Sequence, residues 1–329
     1  MRNILVTGVG GGVGQSVLKA LEGGRYQVVA VDSEELAVGL HAAPKAYKGC
    51  YANDPLFVDR LLEICKKEAC GLIFVGHDVE LMPLAANADR FKACGITPVV
   101  SSLAVIRMCD DKLATNEFLR AQGFAVPETW RLSEVGAYSS PVVLKPQKGG
   151  ARSKNTYVAR SEKAFDVYRQ LVDPDNCIVQ EYIEGDEYTC GSVTLDEQCV
   201  GVIVMRRILR DGDTYKAFVE RNPKLESEVR SIVSALKPFG ACNVQLRVRN
   251  GTPYVFEINA RCSGTTAARA LAGFNEPMMI AGYLLDQQQP SFDIREISVL
   301  RYWKELVVEN ERVEQLRRER YLPGNGAKL

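Results

Sequence analysis

The chain contains very little histidine, since only His41 and His77 occur among its 329 residues. A histidine-rich metal centre is therefore excluded. Its ten cysteines are scattered and none forms a Cys-x-x-Cys pair, which favours reduced, buried thiols over disulfides or zinc ligands. The chain also has no excess charge, because 41 lysines and arginines balance 41 aspartates and glutamates. We therefore expect no binding to nucleic acid or to an anionic membrane.

Long hydrophobic runs are also absent. No apolar stretch reaches the roughly 18 to 20 residues that a membrane-spanning helix needs, and the N-terminus shows no apolar signal-peptide segment. Hydrophobic residues make up 46% of the chain and charged residues 25%, as in soluble globular proteins. We predict a cytoplasmic protein with two or three domains, because 329 residues are many for a single core.

The pattern of strands and helices changes near the middle of the chain. Residues 1–100 alternate strand and helix, which predicts a parallel sheet with helices on both faces. From Pro141 onward, longer and antiparallel-looking strands dominate, and the charged tail from Glu309 is predicted to form a helix with a frayed end. We therefore predict an α/β domain at 1–105 and an α+β domain at 106–329, comprising a small lobe at about 125–185, a large lobe at about 186–308 and the tail.

The segment Tyr254–Arg261 carries the strongest chemical signal. Glu257, Asn259 and Arg261 alternate as an apolar strand gives way to a loop, so their side chains share one face. Carboxylate and amide oxygens are the ligands that Mg²⁺ takes when it also holds phosphates, and an arginine can meet a phosphoryl oxygen. The pattern indicates a nucleotide-phosphate site.

A second strand is predicted directly before this segment. Ala241–Val248 alternates like a strand, and the Asn250-Gly251 turn would fold it back onto the next one as a hairpin. Gln245 then lies near Glu257. An ordinary hairpin with polar residues on its exposed face is the alternative interpretation.

Another phosphate-handling element is predicted around Lys145. This lysine ends an apolar strand, and Gly149 and Gly150 would let the backbone N–H groups of the next loop close over phosphates. Each feature alone is also common in hairpins that bind nothing.

The segment Val179–Thr189 offers contacts for the rest of a nucleotide. The backbone of Glu181, Tyr182 and Ile183 could pair with an adenine ring, and Glu187 beyond the following turn could take ribose hydroxyls. A strand followed by a turn is the simpler alternative.

The glycine-rich turn Thr7–Gly14 supports a different function. It fits the Thr-Gly-x-x-x-Gly-x-Gly pattern that cradles a dinucleotide in short-chain dehydrogenases, and Asp32 ends the next strand. An NAD(P)-dependent oxidoreductase is therefore the rival hypothesis. Its chemistry needs a tyrosine and a lysine one helical turn apart, yet none of the 13 tyrosines has lysine at i+4. Val13 also replaces the last glycine of Gly-x-Gly-x-x-Gly, which favours a tight turn without a cofactor.

Two groups of residues are candidates for substrate binding. Four basic residues flank a hairpin turn and could hold a carboxylate, although a solvated hairpin surface explains them equally well; they are Arg206, Arg207, Arg210 and Lys216. His77 and Asp78 follow a strand of the first domain, where doubly wound folds place ligand contacts. A helix start capped by Asp78 is the alternative.

Taken in order, these elements resemble the ATP-grasp superfamily, and most closely its branch similar to the large subunit of carbamoyl phosphate synthetase. The resemblance covers nearly the whole chain and implies a Rossmann-like pre-ATP-grasp domain followed by a two-lobed ATP-grasp domain. Its motifs are Asp111-Lys112 at a helix start, the Lys145 strand with its glycine loop, the Gln180–Gly185 hinge, Asn243-Val-Gln245 and Glu257–Arg261.

The resemblance also implies roles for these residues. The implied contacts are Lys112 and Lys145 with the phosphates, Glu181 to Ile183 with adenine, Glu187 with ribose, Gln245, Glu257 and Asn259 with Mg²⁺ or Mn²⁺, and Arg261 with the transferred phosphoryl group. Many relatives place an acidic residue where this chain has Gln245, so a second metal ion would depend more on ATP itself.

The function implied by the resemblance is an ATP-dependent carboxylate–amine ligase. It would form an amide through an acyl phosphate and release ADP and phosphate, with Arg261 and Lys145 as catalytic residues. The expected partners are a small carboxylate and a small amine, and a homodimer is compatible with the sequence. A non-catalytic ATP-binding protein is a further alternative.

Overall fold

The computed structural model describes residues 3–139, 141–150 and 154–324. The chain begins with a parallel sheet whose central strands are continuous apolar runs, as expected when helices cover both faces. Its strands are β1 (Asn3–Val6), β2 (Val28–Asp32), β3 (Lys45–Lys48), β4 (Cys70–Phe74) and β5 (Thr97–Pro98), in the order β3-β2-β1-β4-β5. The helices of this part are α1 (Gly12–Leu21), α2 (Val38–Ala42), α3 (Phe57–Lys67), α4 (Leu81–Ala86), α5 (Ala88–Lys92), α6 (Leu103–Asp110) and α7 (Lys112–Ala121).

A small antiparallel sheet follows. It comprises β6 (Thr129–Arg131), β7 (Val142–Pro146), β8 (Tyr157–Ala159) and β9 (Cys177–Glu181), in the order β6-β9-β7-β8. Helix α8 (Glu162–Tyr168) packs against it, and Leu144, Phe165 and Val179 form its separate core. This sheet carries Lys145 at the end of β7.

A larger antiparallel sheet forms the rest of the second half. Its strands are β10 (Asp186–Leu195), β11 (Gln198–Arg210), β12 (Asp213–Val219), β13 (Gly240–Arg249), β14 (Thr252–Asn259) and β15 (Ser298–Leu300), in the order β14-β13-β10-β11-β12-β15. Asn250 and Gly251, between β13 and β14, both have positive φ angles, as a two-residue hairpin turn requires. The predicted hairpin is therefore present.

The two faces of this large sheet are covered by different helices. Helix α9 (Pro223–Leu236) covers one face through Val229 and Ile232. The other face packs on α10 (Thr266–Leu271) and α11 (Glu276–Asp286), and these two helices pack in turn against α1 of the first sheet. One hydrophobic core therefore joins the first sheet to the large antiparallel sheet, and it holds the ends of β1 and β4 beside β14.

The end of the chain returns to the first sheet. Helix α12 (Asn310–Glu319) agrees with the predicted helix, but β16 (Tyr321–Leu322) then pairs antiparallel with β3. Leu322 is fully buried, so the predicted frayed end is wrong up to this residue. The apolar core stabilises this return. The last part of the predicted frayed end, residues 325–329, lies outside the described residues.

The α/β and α+β fold class predicted from the sequence is confirmed. Within the described ranges, none of the helices combines the length and the apolar character needed to cross a bilayer.

Candidate active site

All three sheets contribute walls to one cleft with a cavity of about 700 Å³. The glycine-rich turn after β1 and the loop after β4 form one side, while the small and large antiparallel sheets form the other sides. The cleft brings together most of the residues singled out from the sequence, namely His77, Asp78, Lys112, Lys145, Gly150, Glu181, Tyr182, Ile183, Glu187, Gln245, Glu257, Asn259 and Arg261.

The candidate metal ligands lie together on the β13–β14 hairpin. Gln245 is the direct cross-strand partner of Glu257, and Asn259 lies two residues further along the same face. The Asn259 Nδ2 group donates a hydrogen bond of 3.0 Å to Glu257 Oε1. One carboxylate and two amide oxygens suit a hard cation that takes its other ligands from phosphates, so this set fits Mg²⁺.

Two lysines keep Glu257 ionised. Burial opposes a charge on this carboxyl group, but the positive charges of Lys112 and Lys145 hold the pKa of Glu257 below its ordinary value. An anionic Glu257 is the form that a cation needs.

Lys145 lies on the floor of the cleft and is almost fully buried. Its Nζ group donates to the Phe256 carbonyl at 3.2 Å. Burial lowers the pKa of Lys145 to about 8, while the charge of Glu257 works in the opposite direction. A buried ammonium group next to a carboxylate is well placed to accept a polyanionic ligand.

Lys112 begins α7 and is positioned by the cap of that helix. Asp111 accepts hydrogen bonds from the N–H groups of Leu113 and Ala114, which fixes the helix start. Lys112 Nζ donates to the Gly149 carbonyl at 2.7 Å. The helix start and the glycine loop are therefore joined across the entrance of the cleft.

The glycine loop is placed only partly as predicted. Gly150 lines the cleft, but Gly149 does not, and the Gly149 N–H donates to Asp110 Oδ1 at 3.0 Å. This N–H is therefore already occupied by a partner within the chain. The end of the predicted loop, residues 151–153, lies outside the described residues.

The predicted nucleotide hinge is held by arginines of β13. Arg249 contacts the Glu181 carboxylate at 2.7 Å, and Arg247 donates to the Tyr182 hydroxyl at 2.9 Å and to the Ile183 carbonyl at 3.2 Å. Glu187 also pairs with Arg247, at 2.6 Å. These contacts fix the hinge against the large sheet.

Arg207, one of the four basic residues predicted to hold a carboxylate, lines the cleft. Its guanidinium group bonds the Glu187 carboxylate at 2.7 Å and Gln245 Oε1 at 2.5 Å, and its side chain is only 11% exposed. It therefore connects the predicted ribose contact with a predicted metal ligand. Arg206 and Arg207 are consecutive in β11 and therefore point to opposite faces of the sheet, and the sequence could not show which of them faces the cleft.

The predicted substrate role of Arg206 and Lys216 requires correction. Neither residue lines the cleft, because successive residues of a strand point to opposite faces. Arg206 lies on the face that α9 covers and bonds Glu220 at 2.7 Å. Lys216 is next to Ala217, which faces the opposite core, and so shares the face of Arg206.

Arg261 and Asp78 meet across the cleft. Arg261 Nε and Nη2 contact the two Asp78 carboxylate oxygens at 2.5 and 2.7 Å, and Arg261 Nη2 also donates to Asn259 Oδ1 at 3.1 Å. Burial opposes the charge of Asp78, but Arg261 holds the pKa of Asp78 below its ordinary value. His77, rather than Asp78, caps the following turn by accepting from the Val79 N–H.

The glycine-rich turn after β1 lines the cleft, but its glycines are explained by packing. A Cβ atom on Gly14 would lie 2.3 Å from the Gly8 carbonyl oxygen. Asp32, the expected ribose contact of a dinucleotide, accepts from the Gly10 N–H at 2.7 Å and from the Glu34 N–H at 2.9 Å. Both Asp32 oxygens thus stabilise the turn itself, which favours the interpretation as a tight strand-to-helix turn.

Cys262 does not have the character of a nucleophile. It is buried beside Arg261, and burial raises the pKa of its thiol well above the ordinary value. A neutral thiol is a poor nucleophile.

Two family models match most of the chain. Residues 109–265 match the ATP-grasp domain, and residues 4–99 match the PylC-like N-terminal domain. The chain therefore carries an ATP-grasp domain behind a PylC-like N-terminal domain, and the predicted family is confirmed.

Similar proteins agree with these domains. A D-alanine–D-alanine ligase A of Bacillus cereus is 26% identical over 236 residues, which are 60% of this chain and 76% of that protein. The carbamoyl phosphate synthase large chain of a Thermoanaerobacter species is 32% identical over 142 residues, 39% of this chain but 13% of that protein. The L-amino acid ligase of Bacillus licheniformis shares the fold, with a TM-score of 0.67 and 16% identity over 91% of this chain and 78% of its own.

These relatives confirm the predicted enzyme class, an ATP-dependent ligase that forms carbon–nitrogen bonds. They do not support the oxidoreductase alternative.

Proposed function

We propose that this protein transfers the γ-phosphoryl group of ATP to a small carboxylate and joins the resulting acyl phosphate to a small amine. The amide, ADP and phosphate are the products. The observation that carries this proposal is the convergence of Lys112, Lys145, Glu257 and Arg261 on one cleft. Phosphoryl transfer leaves little covalent work to the protein, so positioned charges of this kind are the main requirement.

We propose a role for each of these residues, and their positions in the cleft support it. Lys112 and Lys145 bind the phosphates, and Gln245, Glu257 and Asn259 hold Mg²⁺, which neutralises phosphate charge when bound. Arg261 meets the transferred phosphoryl group. Among the residues that the structure describes, its Nη1 group bonds only the Cys262 carbonyl, at 2.8 Å, so one N–H of this group is left for the ligand.

The hinge and Glu187 complete the proposed nucleotide site. Adenine would lie against the Glu181–Ile183 backbone and ribose near Glu187, with Arg207 and Arg247 keeping the Glu187 carboxylate in place. The carboxylate and amine substrates would enter from the side formed by the first sheet, where Gly10–Val13 and His77 face the same cavity.

We also propose a domain boundary near residue 105, with lobes at about 125–185 and 186–308. The tail belongs with the first domain in this proposal, because β16 pairs with β3.

The decisive experiment measures substrate-dependent release of ADP. Amino acids are the first acids and amines to screen, because the similar proteins include a D-alanine–D-alanine ligase and an L-amino acid ligase. With the correct acid and ATP, but without the amine, hydroxylamine should trap the acyl phosphate as a hydroxamate in equal amount to ADP. Release of AMP would refute the phosphoryl-transfer mechanism. Nucleotide binding without any substrate-stimulated hydrolysis would indicate a non-catalytic ATP-binding protein instead.

A further inference from the structure

The edge of the large sheet carries exposed apolar side chains. Strand β15 is the last strand of this sheet, and among the described residues no strand lies beyond it. Leu300 is 65% exposed, Tyr302 84%, Trp303 94% and Val307 85%. Large apolar side chains grouped in this way mark interaction surfaces. We call residues 299–307 the edge segment.

The backbone of the edge segment is free to pair with another strand. The Arg301 N–H donates to the Tyr215 carbonyl at 3.1 Å, so the ladder with β12 continues to Arg301. Residues 302–308 make no backbone hydrogen bond with any other described residue. Because alternate residues of a strand bond to opposite neighbours, Leu300 directs its backbone groups away from β12, and an extension of the strand would do the same for Tyr302. Such an edge is a template for an added strand.

The sequence of the edge segment is complementary to itself when it is read in opposite directions about Trp303. In a dimer with two-fold symmetry, every contact occurs twice: if residue i of one copy faces residue j of the other, then residue j of the first copy faces residue i of the second. The antiparallel pairs would be Val299 with Val307, Leu300 with Leu306, Arg301 with Glu305, Tyr302 with Lys304, and Trp303 with itself. In this register apolar residues face apolar residues, Arg301 faces Glu305, and Lys304 faces the aromatic ring of Tyr302. Each of these cross-strand pairs is stabilising.

The neighbouring registers are less favourable. Centring the axis on Lys304 would place two ammonium groups opposite each other and Trp303 opposite Glu305. Centring it on Tyr302 would place Leu300 opposite Lys304 and would leave Glu305 opposite Val299. Like charges directly opposite each other destabilise a sheet, so the register about Trp303 is selected.

We propose that a second copy of this chain occupies this edge, with the two edge segments paired antiparallel about a two-fold axis at Trp303. The two large sheets then form one continuous sheet across the dimer. Trp303 lies at the centre of the interface, where aromatic residues contribute most to binding.

Oligomeric state tests the proposal directly. Sedimentation velocity of the 329-residue chain should give a dimer that dissociates on dilution. Trp303→Glu should raise the dimer dissociation constant by about 100-fold or more, because two carboxylates would face each other at the axis. The matched control is Leu56→Glu, at a position that is 61% exposed on the first domain, and it should leave the dimer intact. A wild-type monomer at all concentrations, or a dimer indifferent to Trp303→Glu, would overturn the proposal.

A charge swap tests the register. Glu305→Arg and Arg301→Glu should each weaken the dimer, because each places like charges opposite one another twice per dimer. The double variant Arg301→Glu/Glu305→Arg should restore the dissociation constant towards that of the wild type. A double variant that dimerises no more tightly than the weaker single variant would exclude this pairing.

Discussion

At the scale of single residues, we expect the charge of Lys145 to control how tightly the cleft binds ATP. The free enzyme holds this lysine with a pKa of about 8 because of burial. Above that pH the ammonium group loses its proton and the site loses a positive charge. We therefore predict that kcat/KM for ATP falls by about fivefold between pH 8 and pH 9, since this ratio reports the pKa values of the free enzyme.

The matched variant for this prediction is Lys145→Arg. An arginine keeps its charge over the whole range, so its profile should be flat above pH 8, at a lower overall level. A steep loss of activity that persists in Lys145→Arg would assign the pH dependence to another group.

Glu257 is expected to serve turnover more than nucleotide affinity. Glu257→Gln removes the single carboxylate of the proposed metal site but keeps its shape. We expect no measurable turnover while ATP affinity stays within about tenfold, because the carboxylate stabilises charge that develops during transfer. Glu187→Ala should mainly raise the KM for ATP. Calorimetric titration combined with steady-state kinetics separates the two variants, and equal small effects on kcat would mean that the site is misplaced.

At the scale of elements, the turn after β4 contains a buried acid that titrates near neutral pH. Glu80 accepts from the Thr7 hydroxyl at 2.6 Å and from the His77 N–H at 3.2 Å. Burial nevertheless raises the pKa of Glu80 from 4.5 to about 7. The native state therefore prefers the protonated acid.

The sign of this shift predicts how stability depends on pH. The contribution of protonated Glu80 to the free energy of unfolding is fully present below its unfolded pKa of 4.5, and it is lost as the pH rises through about 7. This loss amounts to about 3 kcal/mol of the free energy of unfolding. Glu80→Gln should remove this loss of stability. At pH 8 the variant should therefore unfold at a higher denaturant concentration than the wild type. Glu117→Gln, at an exposed position of α7, is the control and should leave the pH dependence unchanged.

At the scale of the whole molecule, the Arg261–Asp78 ion pair joins the two halves of the chain. One partner follows β14 and the other follows β4, and both carboxylate oxygens of Asp78 are engaged. The first domain therefore orients an arginine of the second domain for which we propose a catalytic role.

We predict that Asp78→Asn lowers kcat by roughly 10- to 100-fold, because a misplaced reacting group has a cost of this order. The KM for ATP should change little, since the two lysines remain. Asp89→Asn, on α5, is the matched control. An unchanged or higher kcat in Asp78→Asn would show that the ion pair restrains Arg261 instead of positioning it.

The local elements of this protein could be predicted from its sequence. Strand and helix periodicities predicted the alternating first half, and an Asn-Gly turn between two apolar runs predicted the β13–β14 hairpin. Because that hairpin is local in sequence, its register already implied that Gln245 and Glu257 face each other. The family motifs added the roles proposed for the lysines and the hinge.

Only the tertiary structure decided the contacts between distant segments. Arg261 and Asp78 are 183 positions apart, and no periodicity connects them. The choice between Arg206 and Arg207 depended on which face of β11 packs against α9, and the return of β16 to β3 depended on an apolar core shared by the two domains. The sequence by itself therefore determined the elements and their local faces, whereas three-dimensional packing decided which faces and chain ends meet, because such contacts depend on all the packed surfaces together.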